Sequence, residues 1–469
     1  ILNLFQLILR KIIYMCGIVA VTGYKKALPL LINGLEKLEY RGYDSAGIAV
    51  INSETKNLVC NKAEGKLNNL KNNLKNAEIP GTVGIGHTRW ATHGKPEVKN
   101  AHPHIDSSGK VAVVQNGIIE NYQELKSKLE KEGVAFNSDT DTEVIPHLIQ
   151  KELFALSQLK LESNGSTLLV AVRNVISDLE GSYALAVLWS GAPDSLVVAR
   201  RQAPLIIGLG EGEFICASDT PAIASFTNII LPLEDEEIAL LTPLGIEIYD
   251  SNNERQYRNP ISLQIAEQVI DKKHFRHYML KEIYDQPDIA KYWLEKYLVK
   301  DTKTGKFQIN YSFDTTFFES IERIDIVACG TSKHAAMVGK FLLEQFSGIP
   351  TNVFYASEFR YSPPPLLPNT LTIGVTQSGE TADTIAAIDM EIKRRSSIDN
   401  EKFKPNLIAI TNRKESSIGR QVSNIIDICA GIEVGVAATK TFFAQLLSFY
   451  GLAIKFVQIK GSQSSDEIA

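Results

Sequence analysis

At roughly 100–200 residues per domain, a chain of 469 residues holds two to four domains and more than one hydrophobic core. Lys+Arg 49 against Asp+Glu 54 gives a formal net charge of -5, with 44% hydrophobic and 22% charged residues. That balance is ordinary for a globular protein, and no basic excess points to nucleic acid as a partner.

The five cysteines, Cys16, Cys60, Cys216, Cys329 and Cys429, are odd in number and far apart. They suggest neither a disulfide framework nor a zinc ribbon, and they fit a reducing, cytoplasmic compartment. Ile1 to Tyr14 is mostly apolar but too short to span a bilayer, so no membrane association is expected. Its Arg10 and Lys11 follow the apolar run, whereas a secretory signal places charge before it. Met15 stands directly before Cys16, so residues 1–15 read as an upstream extension from a misplaced start or a processed segment; the alternative is an amphipathic N-terminal helix.

From Cys16 to about Asp250 the pattern is one of short β-branched runs: Ile18–Thr22, Ala46–Ile51, Val83–Gly86, Val111–Val114, Tyr183–Trp189, Leu196–Ala199, Leu205–Gly208, Phe214–Ala217 and Ile238–Leu241. They predict antiparallel strands. Tyr122–Glu132, Asp141–Phe154 and Thr167–Leu179 have helical spacing, with Asp139 or Asp141 as cap of the second. Two antiparallel sheets faced by helices, an αββα sandwich, account for this half. Asn61–Asn76, with six Asn and four Lys, reads as a solvated surface segment.

Asp250–Pro260 is polar and turn-rich and marks a boundary. Beyond a helical bridge at Phe275–Lys300, the apolar runs Ile324–Cys329, Thr351–Tyr355, Leu371–Thr376, Leu407–Thr411 and Ile425–Cys429 alternate with helices such as Ala335–Phe346 and Thr381–Lys393, and Thr439–Val457 is a last helix. Continuous apolar strands between helices predict a doubly wound parallel sheet. The expected organisation is an extension at 1–15, a first domain at 16–249, a linker and bridge at 250–314 and a second domain at 315–463.

Four clusters in the first half carry chemistry. Removal of Met15 would make Cys16 N-terminal, and an α-amine with pKa about 7.7–8.0 can then serve as base for its own thiol. Gly86–Gly94 follows a strand and contains Arg89, whose guanidinium can take a carboxylate with two parallel hydrogen bonds. Asn116 beside Gly117 is a workable oxyanion hole for acyl transfer. Ser138–Glu143 places carboxylates at a helix start, where capping is the plain role for Asp139 and Thr140. His102-Pro103-His104 could pair on a metal, but no Cys or carboxylate stands at ligand spacing nearby, so no metal is assigned and the histidines read as loop-ordering or core groups.

In the second half, Ala328–Ser332 and Thr376–Thr381 each end a strand and open a helix with glycine and hydroxyl residues. Such loops offer N–H and hydroxyl groups to a phosphate at the carboxyl edge of an open sheet. Neither is a Walker A or GxGxxG loop, so no nucleoside triphosphate or dinucleotide is implied.

Taken together, Cys16–Val19, Tyr40–Gly47, His87–Gly94, Asn116–Asn121 and Thr140–Glu143 resemble the class II glutamine amidotransferase domain, of N-terminal-nucleophile type. His277–Ile283, Cys329–Ser332, Gln377–Thr381 and Gly435–Lys440 resemble the linker and first sugar isomerase domain of the isomerising glutamine:fructose-6-phosphate aminotransferases, the glucosamine-6-phosphate synthases. The resemblance runs from Met15 to about Gly461. It implies that Cys16 takes the γ-acyl group of L-glutamine and frees ammonia, with Asn116 and Gly117 as oxyanion hole. Arg89 and Asp141 would hold the α-carboxylate and α-amine, Thr92 and His93 would shape the pocket, and Trp90 would gate the ammonia. Thr331, Ser332, Thr376, Gln377, Ser378, Thr381 and Val436 would bind fructose 6-phosphate. Glucosamine 6-phosphate would form without metal or redox cofactor, in a homodimer.

Thr376 stands where the family usually has serine, and Gln115 where histidine is common; both keep hydrogen-bonding capacity. The second isomerase domain, with its acid-base residues, is not found in the chain, which therefore reads as a piece retaining the glutaminase half. Two rivals use the same ammonia-making domain, with a phosphoribosyltransferase or an asparagine synthetase partner; neither partner's loop motif occurs after residue 250. A rival of another class is a non-catalytic sugar-phosphate sensor, and a glutaminase-only fragment is the remaining alternative.

Overall fold

The structure is a computed structural model that describes residues 16–39, 42–75, 77–90, 94–263, 272–301, 305–435 and 437–460. The chain divides into two compact units, Ile1–Ala266 and Glu267–Ala469.

The first unit carries strands β1 (Gly17–Gly23), β2 (Ser45–Ile51), β3 (Leu58–Glu64), β4 (Gly84–Arg89), β5 (His104–Ile105) and β6 (Val111–Ile119). These are followed by β7 (Gly181–Trp189), β8 (Leu196–Arg201), β9 (Ile206–Leu209), β10 (Glu213–Ala217) and β11 (Ile229–Pro232). The last four are β12 (Ile238–Thr242), β13 (Gly245–Tyr249), β14 (Arg255–Gln256) and β15 (Ile261–Ser262). They form an eight-stranded sheet in the order β15-β11-β9-β10-β1-β4-β2-β3 and a seven-stranded sheet in the order β14-β13-β12-β8-β7-β6-β5. The helices are α1 (Ala27–Leu38), α2 (Leu67–Leu74), α3 (Tyr122–Lys131), α4 (Val144–Gln158), α5 (Gly165–Ser177) and α6 (Thr220–Ala224).

Side-chain alternation along the strands builds the layers. Ile18 and Ala20 of β1 meet Ala112, Val114, Ala184 and Ala186 of the other sheet in one buried cluster, while Val19 and Val21 face α1 and α6. Val111 and Val113 of β6 turn the other way, onto α3, α4 and α5. Both faces of both sheets are covered, so these strands are apolar throughout, and the layers are helix, sheet, sheet, helix.

Three local expectations change. Asn61–Asn76 is not a plain solvated segment: it contains the end of β3 and all of α2, which buries Leu67, Leu70 and Leu74 and turns its Asn and Lys outward. Neither Asp139 nor Asp141 caps the next helix, because α4 begins at Val144 and Asp141 Oδ2 instead accepts from the Ile119 amide at 2.8 Å. The stretch Asp250–Pro260 holds β14, which pairs with β13 and continues the sheet.

The second unit opens with α7 (Tyr278–Tyr284) and α8 (Gln286–Tyr297), two helices where one bridge was expected; Pro287 stands in the first turn of the second. The hairpin β16 (Leu298–Lys300) and β17 (Phe307–Ile309) leads to β18 (Arg323–Ala328), α9 (Gly330–Ser347), β19 (Thr351–Tyr355) and α10 (Ala356–Phe359). Then come β20 (Thr370–Thr376), α11 (Ala382–Ser396), β21 (Asn406–Thr411), α12 (Ser417–Gln421), β22 (Ile425–Asp427) and α13 (Lys440–Lys460). The five strands from β18 to β22 are parallel, in the order β19-β18-β20-β21-β22. Ile324, Ile326 and Ala328 face α8, α9 and α13, while Val327 faces α10, α11 and α12, so both faces are covered.

That order reverses between β18 and β20, and the crevice beyond the carboxyl ends of these two neighbours is where open α/β sheets take ligands. By length and composition α13 could cross a membrane; half of its most apolar window is buried inside the unit, where Phe449, Leu452 and Phe456 join the core.

Candidate active site

In the first unit the site sits at one end of the space between the two sheets. Cys16 has the parity of Ile18 and Ala20, His87 and Arg89 have the parity of Ile85, and Asn116 has that of Ala112 and Val114, all of which face the inter-sheet core. The register Ile18↔His87 and Gly17↔Thr88 brings Cys16 beside the end of β4. The Trp90 amide donates to Cys16 Sγ at 3.2 Å. Asn116 Nδ2 donates to the Cys16 carbonyl at 3.0 Å, so Cys16 and the Asn116 carboxamide lie together although 100 residues apart in sequence.

Gly117 is at φ +109°, and a Cβ there would run into the Ser182 carbonyl oxygen across the β6–β7 pairing; only glycine fits this position. Asn116 is 7% exposed and Cys16 half-buried, a setting in which an N–H donor acts without competition from bulk water.

Arg89, 3% exposed, stands at the end of β4. Its guanidinium donates to the Gly94 and Lys95 carbonyls, each at 3.4 Å, and lies 3.9 Å from Asp44 Oδ1. Asp141 is buried and anchored to the Ile119 amide at the end of β6, close in the chain to Asn116. Trp90 meets Tyr43 edge-on with ring centroids 4.9 Å apart. Thr92 and His93 lie outside the described residues.

Behind Asn116 stands a group of imidazoles that the residue types alone left as ordering groups. His87 stacks on His102 with centroids 4.2 Å apart, and His102 meets His104 edge-on at 4.7 Å. Burial pushes His87 down to about 3 and holds His102 and His104 well below the usual histidine range, so all three are neutral at physiological pH. His104 Nε2 shares a hydrogen with Thr140 Oγ1 at 3.0 Å, which gives Thr140 a role in place of capping. Among the described residues no group of three or more His, Cys, Asp or Glu could hold a metal.

In the second unit, Cys329–Ser332 and Thr376–Thr381 leave the adjacent strands β18 and β20 at the same edge, with Ala328 paired to Val375. Thr376 Oγ1 lies 2.7 Å from Thr381 Oγ1 and accepts from the Gly379 amide at 3.3 Å. Ser378 Oγ accepts from the Glu380 amide at 3.1 Å. Gln445 Nε2 on α13 donates to Ser332 Oγ at 2.9 Å, and Thr331 is exposed in the first turn of α9. Gln377 is half-buried, and its carbonyl accepts from the Asn412 amide. Val436 lies outside the described residues.

Two carboxylates missed by the sequence reading shape the segment before α13. Glu282 accepts from the Val434 and Gly435 amides, and Glu433 Oε1 accepts from the amides of Thr439 and Lys440 at 2.8 and 2.9 Å. Their signal was weak: Glu282 lies inside α7, far in the chain from the amides it holds, and Glu433 stands alone ahead of α13.

Gly379 is at φ +70°, and a Cβ would run into Ser416 Oγ. Gly379→Ala should cost about 1–2 kcal/mol from the left-handed backbone alone, with further loss from overpacking. Thermal unfolding of the second unit checks this; an unchanged midpoint would mean that the loop relaxes freely.

Residues 87–225 match the family described as a glutamine amidotransferase domain, and residues 317–455 match the SIS domain. Over 443 residues the chain is 55% identical to the glutamine–fructose-6-phosphate aminotransferase (isomerizing) of Thermosynechococcus vestitus, covering 94% of this chain and 69% of that protein. The protein of the same name from Nostoc sp. is 52% identical over 455 residues, 97% of this chain and 72% of its own length. With both domains matched and this similarity extending through nearly all of its length, the chain belongs to the isomerising glutamine–fructose-6-phosphate aminotransferase family.

Proposed function

We propose that this protein takes ammonia from L-glutamine at Cys16 and uses it to aminate fructose 6-phosphate, giving glucosamine 6-phosphate and glutamate. The observation that carries the reading is the meeting of Cys16, the Trp90 amide and Asn116 beside Gly117 at one end of the inter-sheet space. In this reading the α-amine of Cys16, freed by loss of Met15, takes the thiol proton, and the thiolate attacks the side-chain carbonyl carbon of glutamine. Asn116 and Gly117 stabilise the oxyanion. The protonated α-amine returns its proton to the substrate nitrogen, and collapse of the tetrahedral intermediate expels ammonia and leaves a γ-glutamyl thioester, which water then cleaves to glutamate and free thiol. Arg89 would take the substrate α-carboxylate, Asp141 its α-amine, Thr92 and His93 the pocket wall, and Trp90 the gating of ammonia.

In the second unit, Thr331, Ser332, Thr376, Gln377, Ser378, Thr381 and Val436 are assigned to the sugar phosphate. The support is their position at the β18/β20 reversal, where N–H and hydroxyl groups converge. No metal or redox cofactor enters these steps. Five cysteines, odd in number and far apart in the chain, support a reducing cytoplasm as its location.

Glutamate release by a chain beginning at Cys16 tests the first half. For the second, replacing Ser378 and Thr381 by Ala together should weaken fructose 6-phosphate binding by about 1–3 kcal/mol in calorimetry if their hydroxyls meet the phosphate. Equal affinity of variant and parent would remove these hydroxyls from the phosphate site. Binding of the sugar with no glutamate release at all would favour the sensor reading instead.

A further inference from the structure

We propose that His87 is the positioning residue of the oxyanion hole, its Nε2–H locking the Asn116 carboxamide in the one orientation that presents nitrogen to the reacting centre. This deepens the reading above and rests on it.

The argument is a chain of donors and acceptors. The Cys16 carbonyl can only accept, so the carboxamide atom 3.0 Å from it must be nitrogen. The other end of the same amide is then oxygen, and it lies 3.0 Å from His87 Nε2. Oxygen too can only accept, so His87 Nε2 carries a hydrogen. The ring is wholly buried and pushed down to about 3, chiefly by that burial, so it cannot carry a second hydrogen at neutral pH. His87 is therefore the neutral Nε2–H tautomer, with its hydrogen on the nitrogen that faces the Asn116 carboxamide oxygen.

The ring stacked on it is fixed by the same logic. The Gln115 amide donates to His102 Nδ1 at 3.2 Å, which leaves the hydrogen on Nε2, directed at Thr142 Oγ1 3.3 Å away. Thr142 passes its own hydrogen to Gln115 Oε1 at 2.7 Å, closing a cycle through the residue next to Asn116. Two neutral rings can stack at 4.2 Å where two imidazolium ions would repel. A flipped Asn116 would set oxygen against the Cys16 carbonyl and N–H against the His87 N–H, two repulsive contacts. The amide is thus oriented before substrate arrives, and the second hydrogen on Nδ2 is the one an oxyanion would take. A donor fixed in advance costs no reorganisation when charge develops.

The test uses the chain beginning at Cys16 and follows glutamine hydrolysis. His87→Leu, which keeps buried volume and loses the donor, should lower kcat by about 10- to 100-fold, less than loss of an oxyanion donor outright, and leave the glutamine KM within about threefold. His87→Gln, whose amide nitrogen can take the place of Nε2, should recover most of that loss. Asn116→Ala should lose about 100- to 1,000-fold, and adding His87→Leu to it should cost nothing more.

The inference fails if His87→Leu slows Asn116→Ala by the full factor it imposes on the parent, if His87→Leu matches the parent, or if His87→Gln is no better than leucine. Nitrogen-15 resonances of histidine in the unmutated protein give a reading independent of any variant's folding: a hydrogen on His87 Nδ1 would overturn the assignment. An Asn116→Ala variant as fast as the parent would overturn the oxyanion-hole reading itself, whatever His87 does.

Discussion

Glutamine hydrolysis is expected from the chain that begins at Cys16 and not from the chain that keeps residues 1–15. In the longer form the nitrogen of Cys16 belongs to a peptide bond, whose lone pair is delocalised and cannot accept a proton. In the shorter form it is an amine with pKa about 7.7–8.0, suited to take the thiol proton near neutrality. Loss of a positioned base costs typically about 100- to 10,000-fold, and residues upstream of Cys16 would also compete for the space that glutamine needs. Neither the Trp90 amide donating to Sγ nor the Asn116 amide on the Cys16 carbonyl can replace the missing acceptor, since both are donors. Cys16→Ala should be inactive yet folded, since its half-buried side chain is small. The measurement is the glutaminase rate of both forms, each verified by N-terminal mass. Equal rates would show that the α-amine is not the base and that another acceptor serves Cys16.

Most of the strands could be read from composition, and their partners could not. The five apolar runs after Ile324 correspond to β18 to β22, and the continuous run of β1 announces burial on both faces. What the runs do not state is order: the loops after β18 and β20 look two strands apart in sequence and are neighbours in space, because the sheet reverses there. Likewise the apolar runs end before His87 and Asn116, and nothing in them says that the two sheets lay these residues together, 29 residues apart in the chain. Asp141 shows the opposite failure. A carboxylate ahead of a helix carries a strong local capping signal, and a long-range partner, the Ile119 amide, overrides it. In Asn61–Asn76 six Asn drew attention from three leucines at helical spacing, and those leucines decide the fold of α2.

Replacing Arg89 should abolish the preference for an α-carboxylate in the substrate and leave the nucleophile intact. The guanidinium sits 3% exposed at the end of β4, held by the Gly94 and Lys95 carbonyls and near Asp44. These 3.4 Å contacts are long, and a carboxylate arriving with two oxygens would make a stronger, bidentate pair. Hydrogen bonds to charged groups are worth about 1.5–3 kcal/mol each, so losing two in Arg89→Leu should lower kcat/KM for glutamine by about 100-fold or more. Arg89→Lys keeps the charge and loses the planar fork, and should fall between leucine and the parent. Removing a buried cation beside Asp44 will also destabilise the unit, so a slower rate alone would not locate the defect. Two comparisons locate it. Alkylation of Cys16 by iodoacetamide should proceed at the parent rate in both variants. The parent's preference for glutamine over 4-aminobutanamide, the same amide without the α-carboxylate, should vanish in Arg89→Leu. If that preference persists in a folded variant whose cysteine reacts normally, Arg89 is a structural tie between β4 and the Gly94–Lys95 turn, and the α-carboxylate is bound by another cation.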